Sequence, residues 1–225
     1  NTMLRKYSVA GIVTEIQDLK YLYIETHINA YYNPSLAANS DAVKAVVSNN
    51  INSYADSSEM NQYGAKFKYS RFQAVVDNSN DSITSNITKI EIRRDLKPAL
   101  NQNAEYELCF GNSFYIKRMD GYNIKSSGFN IFGVANTVYL SDTPNANGKT
   151  GNLFLFTLSS RANPTVVSNN VGTIDYGRGE IIIKPINITG TSKQVQNIPI
   201  IEMSGCPESN DVIGLQDLYL QLDIS

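Results

Sequence analysis

The stretch NSDAVKAVVSNNINSYA at residues 39–55, followed by ITSNITKIEIRR at residues 83–94, decides the predicted fold. The apolar residues of the first stretch recur at helical spacing: Val43, Val46, Val47, Ile51 and Tyr54. This spacing predicts an amphipathic helix that packs on a surface, with Ser40 as its N-cap. The second stretch alternates apolar and polar residues, which predicts a half-buried strand.

A second, shorter helix is predicted between these stretches. It covers Ser70–Asp77, follows a break at Gly64, and would take Ser70 as its N-cap. Its expected inward-facing residues are Phe72, Val75 and Val76. Before it, Phe67 and Tyr69 are typical of a short strand. Both predicted helices therefore lie in the first 80 residues of the chain.

Strand-like segments account for most of the remaining sequence, and Gly111-Asn112 and Gly177-Arg178-Gly179 indicate tight turns. We predict an α+β fold, with a lobe of strands and two helices at residues 1–100 and a mostly antiparallel, β-sandwich-like domain at residues 101–225. The predicted strands are Tyr7–Ile16, Tyr21–Tyr32, Ile83–Arg94, Glu105–Phe110, Phe114–Lys117, Asn136–Ser141, Leu153–Ser159, Gly172–Tyr176, Glu180–Lys184, Val195–Met203 and Leu218–Leu222.

Composition limits the class of partner. The 225 residues carry a formal net charge of -2 and only 18% charged residues, so no basic excess is present to bind a nucleic acid backbone. No apolar run approaches the roughly 20 residues that span a bilayer, so membrane insertion is not expected. The two cysteines, Cys109 and Cys206, do not form a disulfide framework. Because the sequence begins at Asn1, we expect a fragment, a processed product or part of a longer protein.

Candidate catalytic and ligand-binding residues are few. Asn147-Gly148-Lys149-Thr150 is similar to the end of a phosphate-binding loop, but Thr143 stands at the position of the first glycine and a strand follows where a helix is needed. The single histidine, His27, lies on a predicted strand without a placed partner. We therefore expect no enzymatic activity, no catalytic or metal-binding residues, no cofactor and no small-molecule substrate.

The order of elements from Asn39 to Asn112 resembles the baseplate wedge protein of T-even-like contractile-tailed phages, within the wider baseplate J-like family. Two further segments extend the resemblance, Val171–Pro185 and Pro207–Leu220. The resemblance implies the C-terminal part of a virion scaffold protein, assembled in the host cytoplasm and located in the tail baseplate. Such a protein pairs with itself, contacts other wedge subunits, helps to form a ring around the tail tube and transmits rearrangement on contraction.

The C-terminal apolar run is the candidate contact surface of such a scaffold. Its residues are Leu215, Leu218, Tyr219, Leu220 and Leu222. An apolar run must be covered by something, and the core of the chain itself is the competing explanation. A different class of function, a receptor- or glycan-binding β module of a tail or adhesin protein, would use the abundant tyrosine and asparagine, although tryptophan is absent. This alternative gives no role to the predicted helices.

Overall fold

A computed structural model describes residues 19–37, 39–117, 122–215 and 218–223. Two helices and fourteen strands occur in this part of the chain, consistent with the α+β prediction. The predicted strand Tyr7–Ile16 lies outside it. The helices are α1 (Ser40–Ala55) and α2 (Tyr69–Asp77). The strands are β1 (Lys20–Tyr32), β2 (Lys66–Phe67), β3 (Ile83–Leu96), β4 (Asn103–Cys109), β5 (Lys125–Ser126), β6 (Phe129–Ile131), β7 (Val138–Pro144), β8 (Thr150–Leu158), β9 (Pro164–Asp175), β10 (Glu180–Thr191), β11 (Lys193–Val195), β12 (Ile198–Gly205), β13 (Val212–Ile213) and β14 (Leu218–Asp223).

The first large sheet has the strand order β11-β12-β3-β1-β14, with β5 also paired to β12. β1 runs antiparallel to β3 but parallel to β14, so Tyr21 stands beside Tyr219 and Tyr23 stands beside Arg93. Strands from both sides of residue 100 meet in this sheet, because β3 pairs with β12. The boundary predicted near residue 100 therefore does not separate one sheet from the other.

The second large sheet has the order β4-β10-β6-β7-β8-β9, and β9 also pairs with β10. The pairing from β6 through β10 consequently closes into a ring of five antiparallel strands, and β4 lies outside it on β10. The predicted pairs of strands at Asn136–Ser141 with Leu153–Ser159, and at Gly172–Tyr176 with Glu180–Lys184, are confirmed as β7–β8 and β9–β10. Gly172 lies where β10 passes so close that a Cβ would meet the Ile182 carbonyl oxygen at 2.2 Å.

Helix α1 confirms the predicted amphipathic pattern with one exception. Val43, Val47, Ile51 and Tyr54 are buried, whereas Val46 is exposed. The predicted N-cap is wrong, because Asn39 rather than Ser40 caps the helix. Asn39 has extended backbone angles, and its side-chain oxygen accepts a hydrogen bond of 2.7 Å from the Ala42 N–H.

Helix α2 begins one residue before its prediction, and Ser70 is not its cap. The N-cap position holds Lys68, which makes no side-chain capping bond. The Tyr69 N–H instead donates to the carboxylate of Asp211, 142 residues further along the chain, at 2.8 Å. A side chain from a distant loop thus provides the first-turn acceptor that a local residue usually supplies. Phe72 and Val76 are buried as predicted.

Two strand predictions are wrong, one because of long-range pairing and one because of a local turn. Gly111-Asn112 does not form a hairpin, because β4 pairs with β10 and Phe114–Lys117 forms only an isolated bridge from Phe114 to Pro207. The single strand predicted at Val195–Met203 is two strands, β11 and β12, joined by a turn at Gln196 and Asn197. Both turn residues have positive φ, which is typical of a tight hairpin.

One continuous hydrophobic core joins both large sheets and both helices. The buried side chains of both helices pack in the same cluster as Leu22, Ile24 and Ile92 of the first sheet. The Tyr69 hydroxyl of α2 also donates a hydrogen bond of 2.7 Å to the Thr88 carbonyl of β3. The opposite, outer face of this sheet carries Tyr21, Tyr23 and Tyr219, which are partly exposed. Within the part of the chain that the structure describes, neither helix is long and apolar enough to cross a membrane.

Candidate protein interface

The predicted C-terminal contact residues divide between the core and the surface. Leu218, Leu220 and Leu222 are at least 93% buried by the chain itself, as the competing explanation expects. They alternate with Tyr219, which lies on the outer face of the first sheet and is partly exposed. Leu215 is 36% exposed. Of the five predicted contact residues, Leu215 and Tyr219 are therefore the two that an interface at this place could use.

These two residues belong to a surface that we call the C-terminal patch, formed by Tyr63, Ile213, Leu215 and Tyr219. Tyr63 is 61% exposed and Ile213 is 50% exposed. The rings of Tyr63 and Tyr219 meet edge-on with their centroids 5.7 Å apart, and their backbones form an antiparallel bridge. The Gly214 N–H bonds the Ala65 carbonyl at 2.9 Å, so the segment that carries Ile213 and Leu215 runs beside the segment that carries Tyr63.

The patch has a rigid base. The Asn112 side chain bonds both backbone groups of Ile213, donating to its carbonyl and accepting from its N–H, each at 2.9 Å. Leu215 covers Gly111 so closely that a Cβ there would lie 2.3 Å from a Leu215 methyl carbon. Gly111 also has a φ of 63°, a conformation that favours glycine. The Gly111-Asn112 pair therefore holds Ile213 and Leu215 in place.

An aromatic row continues from the patch across the outer face of the first sheet. Tyr219 contacts Tyr21 edge-on at 5.8 Å, and Tyr21 stacks on Tyr23 at the same centroid distance. The guanidinium of Arg93 lies 4.4 Å from the centre of the Tyr23 ring, within the range of a cation–π contact. Burial, together with the charge of Asp95, raises the pKa of the Tyr23 hydroxyl.

Arg93 ties three strands together beneath this row. It bonds Glu25 on β1 and Asp223 on β14 at 2.6 Å each, and Asp95 on its own strand at 3.1 Å. Burial lowers the pKa of Arg93, but the bonds to these carboxylates outweigh it and raise the pKa above its ordinary value. Burial raises the pKa of Asp95, against the opposing effect of Arg93. The cluster holds the edge strand β14 to the sheet.

A second apolar surface lies on the outer face of the ring of strands. Tyr122, Phe154, Phe156 and Tyr139 form a chain of ring contacts with centroid distances between 5.5 and 5.9 Å. Val166 stands beside Phe156 on the neighbouring strand and is exposed. This surface, the outer stripe, contains no charged side chain and is larger than a single exposed hydrophobic residue, which is common on any protein.

The residues considered for catalysis or ligand binding do not come together. Asn147 and Thr150 form a hydrogen-bonded turn between β7 and β8, so the NGKT sequence is a loop between paired strands. His27 is exposed on β1. Burial raises the pKa of Cys206, which disfavours its thiolate. Among the residues described, no group of three or more histidine, cysteine, aspartate or glutamate side chains is placed to hold a metal ion.

Residues 20–95, about a third of the chain, match the family model of baseplate structural protein gp6, C-terminal domain III. The match supports a phage baseplate protein. It covers β1, both helices and β3, and it supports a structural role and a location in the virion tail baseplate. Comparison with curated proteins gives no match.

Sequence reasoning missed Tyr63 and Ile213 as members of the exposed surface. Ile213 lies within Pro207–Leu220 but outside the apolar run, and Tyr63 lies in a loop without periodicity. The useful signal was the alternation of β14, which assigns Leu218 to one face and Tyr219 to the other. Strand parity alone would have removed the buried leucines from the prediction.

Proposed function

We propose that this chain is the C-terminal part of a structural subunit of a contractile-tail baseplate wedge. The observation that carries the proposal is the match of residues 20–95 to a baseplate structural domain. It is supported by the resemblance of Val171–Pro185 and Pro207–Leu220 to the wedge protein. These segments contain β13 and parts of β9, β10 and β14. In the assembled ring, the subunit pairs with a second copy and contacts other wedge proteins.

The C-terminal patch is the proposed centre of self-pairing. A contact related by a two-fold axis uses the same surface on both partners, so an uncharged patch meets another uncharged patch. A standard interface buries about 800 Å² on each partner. The four side chains of the patch cannot supply that area alone, and the neighbouring Tyr21 and Tyr23 row supplies a partly polar rim.

A subunit in a ring needs more than one contact surface. The outer stripe lies on a different sheet from the C-terminal patch, and its lack of charge suits a contact with a neighbouring wedge protein. On contraction, we expect the two large sheets to move together as one rigid unit, because their shared core resists deformation. The rearrangement is then transmitted by changes at the contact surfaces rather than by refolding.

Light scattering across a concentration series tests self-pairing. We expect the natural chain to form dimers and the Tyr63→Ser/Ile213→Ser variant to remain monomeric at the same concentrations. The matched control is Phe132→Ser, because Phe132 is 78% exposed in the β6–β7 turn and lies outside the patch. A natural chain that is monomeric throughout contradicts self-pairing. It leaves assembly that needs other wedge subunits or the receptor- or glycan-binding alternative, and a glycan array then tests the latter.

Location is tested separately by electron microscopy of phage tails labelled with antibodies raised against this chain. We expect the label at the baseplate end of the tail. Label confined to fibres or absent from tails contradicts the baseplate role, whatever the oligomeric state in solution.

A further inference from the structure

A groove of about 1010 Å³ opens between the end of the first sheet and the free edge of β4. One wall contains Glu107 and Leu108 of β4. The facing wall contains Leu96, Ile198 and Ile200, which are apolar. The volume is at the upper limit of small-ligand pockets, which occupy about 300–1,000 Å³. The size and the strand along one wall together suit a segment of polypeptide.

The edge of β4 that borders this groove presents backbone groups to it. β4 is the terminal strand in the order of its sheet, so one side has no strand partner in the part of the chain that the structure describes. The Phe110 N–H bonds the Gly179 carbonyl at 2.8 Å, so Phe110 faces β10. Because backbone groups alternate along a strand, those of Cys109 and Glu107 point away from β10. Arg94 already bonds the Cys109 carbonyl, which leaves the Glu107 position as the centre of the edge.

The side chains of β4 define what an added strand would carry. Glu105 and Glu107 are exposed on one face, and Tyr106 and Leu108 are buried on the other. Side chains that stand beside each other on neighbouring strands attract when their charges are opposite and repel when they are alike. An added strand is therefore favoured with basic residues beside the two glutamates. A second copy of β4 would bring glutamates together and is disfavoured.

The facing wall restricts the other side of the added strand. The side chains of Leu96, Ile198 and Ile200 form an apolar part of this wall. An apolar side chain directed into the groove would contact them, whereas a charged one would lose water there without a matching partner. The groove thus favours apolar residues on its inner side and basic residues on its outer side.

We infer that the free edge of β4 binds an extended segment of a partner protein in which apolar residues alternate with lysine or arginine. The segment adds a strand to the second sheet by backbone hydrogen bonds, and its alternating side chains give specificity. This inference rests on the proposed baseplate role and adds the kind of protein segment that the chain would bind. It does not depend on self-pairing, since a segment binds or fails to bind whether or not the chain dimerises.

The test uses three fluorescein-labelled ten-residue peptides and fluorescence anisotropy. The first alternates valine with lysine, the second has the same composition in two blocks, and the third alternates valine with glutamate. We expect the first peptide to bind at least tenfold more tightly than either of the others. Equal binding of the block peptide overturns the inference, because charge alone then explains the affinity. Failure of all three peptides to bind also overturns it.

Two variants separate the backbone contribution from the charge contribution. Glu107→Pro removes only an N–H that points away from β10, and we expect it to weaken binding of the first peptide at least tenfold. Glu105→Lys/Glu107→Lys should have a similar effect by repulsion, whereas Glu208→Lys, in an exposed loop, should change binding less than threefold. Far-UV circular dichroism confirms that each variant is folded.

Unchanged binding by Glu107→Pro overturns strand addition. If Glu107→Pro abolishes dimerisation, the occupant of the β4 edge is a second copy of the chain. That result also overturns the inference.

Discussion

Replacing Tyr176 by phenylalanine tests the buried polar pair inside the ring of strands. Tyr176 and Asp142 are both fully buried, and the Tyr176 hydroxyl donates to the Asp142 carboxylate at 2.6 Å. The other carboxylate oxygen accepts from the Ile124 N–H at 2.7 Å. Tyr176→Phe keeps the ring and removes one of the two bonds, leaving a carboxylate oxygen unpaired in the core.

The expected cost follows from that geometry. A hydrogen bond to a charged group contributes about 1.5–3 kcal/mol, and an unpaired buried acceptor adds a desolvation cost. We therefore expect Tyr176→Phe to lower the free energy of unfolding by about 2–4 kcal/mol. With a urea dependence of about 2–3 kcal/mol per molar, the midpoint of unfolding shifts by about 1 M. The chain has no tryptophan, so far-UV circular dichroism is the suitable signal.

A second substitution shows whether the loss comes from the pair itself. Asp142→Asn removes the buried charge, so the Tyr176→Phe/Asp142→Asn double variant should lose about 1 kcal/mol less than the sum of the two single losses. Additive losses, or a loss below about 0.5 kcal/mol in Tyr176→Phe alone, would refute the reasoning. Either result would mean that the hydroxyl and the carboxylate are not coupled in the folded protein.

The same pair predicts a dependence on alkaline pH. Burial and the Asp142 carboxylate raise the pKa of Tyr176 above its ordinary value of about 10. Above that pH the unfolded state releases the phenolic proton while the folded state keeps it, so the free energy of unfolding falls as pH rises. Tyr176→Phe lacks this contribution. The difference in stability between the natural chain and the variant should therefore shrink above pH about 10, and a constant difference between pH 8 and 11 would contradict the prediction.

Two further substitutions test local features of the fold. Asn39→Ala should lower the free energy of unfolding by about 1 kcal/mol in urea because it removes the α1 cap, and Ser40→Ala should cost less. Equal losses would show that the cap is assigned to the wrong residue. Gly172→Ala should cost at least about 2 kcal/mol in thermal unfolding, since its Cβ would meet the Ile182 carbonyl, whereas Gly190→Ala has only one neighbour, at 3.7 Å. A stable Gly172→Ala variant would show that β9 and β10 can separate at little cost.

The elements that sequence predicted best are those whose signal is local. The α1 stripe needs only the spacing of apolar residues within one helix, and the β9–β10 hairpin needs only its glycine-containing turn. The residue that caps α1 could not be predicted from residue type alone. Asn39 and Ser40 are both favoured N-cap residues, and the extended backbone angles of Asn39 decide between them. Sequence alone does not specify those angles.

The elements that sequence missed depend on contacts between distant residues. Gly111-Asn112 has the composition of a tight turn, but Asn112 bonds Ile213, which lies 101 residues away. The edge position of β14 depends likewise on its parallel pairing with β1, almost 200 residues earlier in the chain. Alternation shows which β14 residues share a face, but it does not say which strand lies beside them. The surface of the candidate interface could therefore be predicted only in part.

The family match and the sheet topology together limit how the matched segment can fold. Residues 20–95 contain β1 and β3, but β1 is covered on its other side by β14 and β3 by β12, both from the end of the chain. Arg93 adds an ion pair to β14 at Asp223. Without these strands, both edges of the β1–β3 pair would be exposed, together with the apolar side chains that β14 covers. The C-terminal strands thus complete the sheet that contains the matched residues, and their buried leucines are used by that sheet's own core.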